Sequence, residues 1–231
     1  MKRSAFFICS LLLMMITGMY ACKKSNTGSG QFMVVNASPG LAGTDVVIDG
    51  AKFNSATLSY PSNTGYKPLP EGSHVLSVKD AAGSTSYVDV NFSSAPNAQQ
   101  SLYVFDRPSS LQVFAVVDNL PATGSGKSGL RFFHLAPGTT AVDLGILSGA
   151  VFSSLFSART FETSTTAATN AGFTLVNSGT FSFDVRVNGP GVSILTVNNV
   201  VLQEGKSYTL FLKGINGSGT TPLGLELITH N

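Results

Sequence analysis

FMVVNASPGLAGTDVVIDG at residues 32–50 and LRFFHLAPGTTAVDLGILSG at residues 130–149 are two writings of one pattern. Each is an apolar run, a small residue followed by Pro-Gly, a turn, and a second run led by Asp45 or Asp143. Proline presets one turn dihedral and glycine supplies the left-handed one, so each stretch reads as strand, turn, strand. The likeness continues downstream. LPEGSHVLSVKD from Leu69 faces VNSGTFSFDVRVNG from Val176, with Gly72 opposite Gly179. QQSLYVFDRPSSLQVFAVVD and GKSYTLFLKGINGSGTTPLGLELI then close each copy with a matching hairpin. Phe32 and Leu130 stand 98 positions apart, the span of one β-sandwich. Two such units are a duplication rather than a solenoid, because each is long enough to bury a core of its own.

Within each copy the strand signal is period two. His74-Val75-Leu76-Ser77-Val78-Lys79 and Phe181-Ser182-Phe183-Asp184-Val185-Arg186-Val187 put one apolar face inward and one polar face outward. Leu102-Tyr103-Val104-Phe105 and Tyr208-Thr209-Leu210-Phe211-Leu212 are more continuous, as central strands are. Ala82-Gly83, Asn188-Gly189-Pro190-Gly191 and Asn216-Gly217 supply turns. Charged residues make up only 11% of the chain, under half the usual share, while 24 glycines suit many turns. The expected fold is all-β: two tandem immunoglobulin-like or transthyretin-like β-sandwich domains after a lipoprotein signal peptide. The segments are 1–21 signal, 22–31 lipidated tether, 32–119 first sandwich, 120–129 Gly/Ser-rich linker and 130–231 second sandwich. Residues 153–159 leave helix, loop and strand open. Each half is expected to fold alone.

The N-terminus carries an address. Lys2 and Arg3 precede an apolar run over residues 5–16, the layout of an export signal, and that run is short against the ~20 residues that span a bilayer. Met19-Tyr20-Ala21-Cys22 resembles the lipobox of bacterial lipoproteins. The resemblance implies that the chain is cut before Cys22, which carries the acyl groups, palmitate among them, and anchors the protein in the cell envelope. An outer-membrane lipoprotein facing the periplasm is the expected location, since no acidic residue lies between Cys22 and Asp45 to resemble a surface-export signal. A plain secretory signal is the alternative.

Asn36-Ala37-Ser38-Pro39 followed by Asp45-Val46-Val47-Ile48-Asp49-Gly50 resembles the opening of the DUF4397 family. His134-Leu135-Ala136-Pro137 with Ala141-Val142-Asp143 is a looser form of it, and Glu204-Gly205-Lys206-Ser207-Tyr208-Thr209-Leu210-Phe211 resembles its late strand. The resemblance implies a secreted or surface bacterial protein with no assigned activity. It departs at Asn36, where the family has His.

Without residues 1–21 the 14 basic residues lose Lys2 and Arg3, and 12 remain against 12 acidic ones. No basic stripe is left to hold a phosphate backbone, so nucleic-acid binding has no electrostatic support. Cys9 leaves with the signal and Cys22 carries lipid, which leaves no thiol for a disulfide, metal or nucleophile. His74, His134 and His230 lack metal-ligand spacing, and His134, beside Phe132 and Phe133, reads as a hydrogen-bonded structural histidine. Gly124-Ser125-Gly126-Lys127-Ser128 echoes a P-loop ending, but it lacks the first glycine and joins two β-units. No cofactor is implied. Tyr60, Tyr66, Phe156 and Phe161, in the longest segments of the two copies, are the candidate ligand-binding residues, with core packing as the competing reading. The expected function is a non-catalytic envelope binding or scaffold protein that engages a glycan or a protein partner. One alternative is a glycan-binding accessory lipoprotein of a polysaccharide-uptake system. Another is an envelope hydrolase using carboxylates among Asp45, Asp49, Asp106 and Glu162.

Overall fold

The computed structural model describes residues 28–231; the stretch read as an export signal, Cys22 and residues 23–27 lie outside the described residues. The first half runs β1 (Ser29–Asn36), β2 (Gly43–Ile48), β3 (Ala51–Lys52), β4 (Leu58–Ser59), β5 (Ser62–Asn63), β6 (Lys67–Pro70), β7 (Gly72–Asp80), β8 (Ser86–Ser94), β9 (Gln99–Phe105) and β10 (Gln112–Val117). The second runs β11 (Lys127–His134), β12 (Val142–Ser148), β13 (Val151–Arg159), helix α1 (Ser164–Thr169), β14 (Thr174–Asn177), β15 (Gly179–Val187), β16 (Ser193–Leu202), β17 (Ser207–Lys213) and β18 (Gly224–Thr229).

Each half is a pair of sheets. In the first, β10, β9 and β1 form one sheet, with β5 and β6 along the free edge of β1, and β2, β7 and β8 form the other, with β3 and β4 along β2. In the second the orders are β14-β11-β17-β18 and β13-β12-β15-β16. The first strand of each half runs parallel to a late one, β1 with β9 and β11 with β17. Registers agree across the halves: Asp45 faces Lys79, and Asp143 faces Arg186. Gly72 and Gly179 open β7 and β15 at φ +132° and +146°, a region that a side chain rarely enters.

Alternation along the strands sets three cores. Phe32 and Val34 of β1 point into the first sandwich, against Val46, Leu76, Val78, Leu102 and Val104. Leu130 and Phe132 of β11 do the same in the second, against Leu144, Phe183, Val185 and Leu210. The other faces of these strands are apolar too. Met33, Val35, Tyr103, Phe105, Phe114 and Val116 meet Phe133, Leu135, Phe211 and Ile228 in a core that belongs to both halves. The four sheets are therefore stacked in layers, with the β1 and β11 sheets in the middle. Strands buried on both faces are apolar at most positions, which is why LYVF and YTLFL do not alternate. A fully buried large apolar side chain contributes about 1.5–3 kcal/mol, so the shared core is no weaker in kind than the other two. This differs from the expectation that each half stands alone.

Two boundaries also shift. β1 begins at Ser29 and β11 at Lys127, inside the stretches read as tether and linker. Composition misleads there: a Cβ on Gly30 would stand 2.5 Å from the Ala95 carbonyl oxygen, so the glycine serves close strand packing rather than flexibility. Residues 153–159 lie on strand β13, and the helix forms later. Its start is a capping box, in which Thr163 Oγ1 accepts from the Thr166 amide (3.2 Å) and Thr166 Oγ1 accepts from the Thr163 amide (2.7 Å).

Candidate functional site

The long segments that carry the four candidate aromatics lie on different parts of the stack, and the rings do not assemble into one platform. Phe156 belongs to the core of the second half, its ring centroid 5.9 Å from that of Phe132. Phe161 packs on the shared core, 5.4 Å from Phe105 and 6.0 Å from His134. Tyr66 packs on the same core and gives its hydroxyl to a buried network. Tyr60 is half-buried, with Lys213 Nζ of the other half 5.8 Å from its ring centroid. Burial first, then the charge of Glu226, pushes its hydroxyl pKa up to about 12. Tyr66 and Phe161 pack on the shared core and half-buried Tyr60 against the other half, while Phe156 packs in the second core and also borders a groove.

The network that takes Tyr66 lies between the halves. Arg131 is fully enclosed, its guanidinium carbon 5.0 Å from the ring centroid of Phe133 and 4.5 Å from that of Phe173. Its Nη2 donates to Asp118 Oδ1 at 2.7 Å and to Thr209 Oγ1 at 2.8 Å. Asp118 Oδ2 accepts from Ser101 (2.6 Å) and Tyr66 (2.7 Å). Tyr66 has one proton, already given to Asp118, so at its 2.6 Å contact with His230 Nδ1 the ring nitrogen donates. His230 Nε2 then accepts the Thr209 hydroxyl proton at 2.7 Å. Every contact is satisfied with His230 neutral, and burial lowers its pKa to about 4. Serine, histidine and aspartate meet here, but His230 bonds to Tyr66 and Thr209, and all these groups except half-buried Tyr66 are sealed from solvent. A buried pair so fully bonded fixes how two apolar faces register.

Asn36 and His134 solve the same problem with different side chains. Asn36 Nδ2 donates to the Leu41 carbonyl (3.1 Å) while its Oδ1 accepts from the Ser38 amide (3.2 Å). His134 Nε2 donates to the carbonyls of Thr139 (3.3 Å) and Thr140 (3.2 Å) while its Nδ1 accepts from the Ala136 amide (3.3 Å). Both tie the strand end to the Pro-Gly turn that follows, and burial holds His134 below the usual histidine range.

The carboxylates have local partners. Asp45 pairs with Lys52 Nζ at 2.8 Å, and Asp49 with His74 Nδ1 at 2.6 Å. Asp106 accepts from the Arg107 amide and from Gln112. Buried Glu162 accepts twice from Asn170 Nδ2, at 3.0 and 3.3 Å, and burial raises its pKa. Among the described residues no three metal-ligating side chains come together.

A groove of about 460 Å³ lies between β13 and α1. Leu155 and Phe156 line it, together with Arg159 and the side chains of Thr165, Thr166, Thr169 and Asn170. A bulge shapes this wall: Val142 pairs with Arg159 and Leu144 with Phe156, so Asp143 alone faces both Ser157 and Ala158. Ala158 takes the left-handed conformation at φ +52°. Asp143 Oδ1 holds it there, accepting from the Ala158 amide and from Asn188 Nδ2, each at 2.8 Å. Sequence reasoning missed Arg159; the only signal was Asp143 after its turn, the kind of residue that caps backbone amides.

A family model described as a domain of unknown function, DUF4397, matches residues 30–145, which takes in the first half, β11 and the start of β12. None of the curated proteins matches the chain. Among solved structures it is similar to the family CBM26 module CBMbc of Eubacterium rectale Amy13K in complex with maltoheptaose, at 14% identity over 86% of this chain and 96% of that one, with a TM-score of 0.28. It is also similar to the multi-modular glycogen-degrading pneumococcal virulence factor SpuA, at 10% identity over 81% of this chain and 21% of that one, with a TM-score of 0.24. At such scores neither alignment carries weight for this chain.

Proposed function

We propose that this chain, which belongs to the DUF4397 family, is a non-catalytic binding protein held to the cell envelope by lipid at Cys22. The observation that carries the binding role is the groove beside β13: a concave surface of hydroxyl and amide side chains over an apolar floor, between the edge strand β13 and α1. Its polar lining suits a glycan, which presents many hydroxyls and few charges. A non-catalytic role is supported by the spending of the acid, base and hydroxyl groups on one another inside the stack. The anchor places the protein on the outer membrane, facing the periplasm, where a glycan or an envelope protein is within reach. Service to a polysaccharide-uptake system is one form of that role.

Thr169 is exposed on α1 at the groove's edge, so Thr169→Trp fills the groove without touching a core. On a glycan array, the full chain binds a subset of glycans and the variant loses them while melting at the same temperature. Binding that survives the variant places the ligand elsewhere. A flat array with an envelope protein captured from the same cells replaces the glycan reading by scaffolding. For the anchor, Cys22→Ala moves the protein from the membrane to the soluble fraction; a variant that still pellets with membranes ends the lipoprotein reading.

A further inference from the structure

We infer that the groove between β13 and α1 selects an acidic saccharide and that Arg159 is the residue that reads its carboxylate; this rests on the groove being the binding site. Arg159 is the one charged side chain among the groove's lining residues, in a chain of nearly balanced charge. Its Nη1 is enclosed and finds no hydrogen-bond acceptor among the described residues. It is one of four buried side-chain polar atoms among the described residues without a partner, and the only charged one of the four. The nearest candidate partner, Glu162, is taken by Asn170 and forms no ion pair with Arg159.

The guanidinium is also held in place. It lies 5.2 Å from the ring centroid of Phe156, which restricts a side chain that would otherwise sample many rotamers. The bulge one residue earlier, with Ala158 left-handed and clamped by Asp143, sets the direction in which Arg159 leaves the strand. A strained, clamped backbone beside an under-bonded arginine is a costly arrangement for a residue with no task. Burial lowers the Arg159 pKa, against the opposing charge of nearby Glu162. A carboxylate matches the planar fork of a guanidinium, and threonine hydroxyls on the facing helix suit the hydroxyls of the same sugar ring. An acidic peptide offers the carboxylate but has no use for the hydroxyl row.

Titration calorimetry on the full chain with a trigalacturonate, a neutral trisaccharide of the same linkage and a hexaglutamate peptide separates the cases. The expected result is uronate binding about tenfold tighter than the neutral sugar, the scale of one charge-assisted pair. Arg159→Gln brings the two sugars within about twofold of each other, and Arg159→Lys, a point charge without the fork, falls between. If Arg159→Gln does not fold, judged by circular dichroism, the lysine variant carries the comparison. Equal binding of both sugars by the wild type overturns the role of Arg159 while leaving the groove reading intact, provided Thr169→Trp still abolishes binding. Hexaglutamate binding as tightly as the uronate overturns the saccharide assignment. No binding of either sugar sinks this inference and the groove reading together.

Discussion

His230 should make the fold sensitive to mild acid, because the network between the halves has room for the neutral ring only. Nδ1 donates to Tyr66 and Nε2 accepts from Thr209, so a second ring proton would meet the Thr209 hydroxyl, which already accepts from Arg131. The ring's pKa is lowered from 6.5 to about 4 in the folded chain, by burial first. As pH falls through 6.5 the unfolded chain takes up a proton that the folded chain refuses until about pH 4. Stability is therefore whole above pH 6.5, declines with falling pH across that window, and has lost its full amount below it. At 1.36 kcal/mol per pKa unit, acidification from pH 7 to pH 4.5 costs about 2.5 kcal/mol through this residue. His134, also held below the usual range, adds loss of the same sign, while His74, raised by its Asp49 hydrogen bond against the opposing effect of burial, works the other way. The measurement is thus a difference: urea unfolding of wild type and His230→Gln at both pH values, followed by circular dichroism. Glutamine can donate and accept but does not titrate, so the wild type should lose about 2.5 kcal/mol more than the variant. Parallel pH dependences, or a folded-state His230 that titrates near 6.5 by NMR, would refute the sealed network.

Arg131→Met alone should cost about 3–5 kcal/mol, because it strands the Asp118 carboxylate in an apolar interior, and adding Asp118→Leu should recover much of that loss in urea melts. A single variant that costs under about 1 kcal/mol would mean that water reaches the pair. Residues 28–120 and 121–231 expressed separately should aggregate or melt without cooperativity, since each exposes its face of the shared core. A cooperative melt and a monomeric elution from either half alone would show that core to be dispensable.

The strands and their pairing were legible where local chemistry decides them. Alternation in HVLSVK and FSFDVRV gave β7 and β15, and the Pro-Gly turns gave the ends of β1 and β11. The continuity of LYVF and YTLFL marked central strands, but a run of apolar residues does not say what covers its second face. Arg131 inside LRFFH concealed the answer further, because an arginine in an apolar run reads as a surface break until Asp118 is known to meet it. The signal available was that β1, β9, β11 and β17 all lack a polar face, whereas two separate sandwiches would leave each of their sheets one polar face. The groove was less legible. Phe156 lies on the strand that walls the groove, whereas the feature that shapes the groove is a one-residue bulge fixed by an aspartate, and bulges leave little trace in composition.

The parallel pairing of β1 with β9 has a mechanical consequence. β1, the first strand of the described residues, begins at Ser29. A pull transmitted from that end runs along β1, whose ladder to β9 spans residues 31–36 and whose ladder to β6 spans residues 29–32. Those hydrogen bonds lie across the direction of the pull, so the strand is loaded in shear and its bonds share the force instead of opening one at a time. β1 is also gripped on both faces by two cores. A load that enters at the N-terminal end of β1 is therefore shared among its ladders before any single bond gives way.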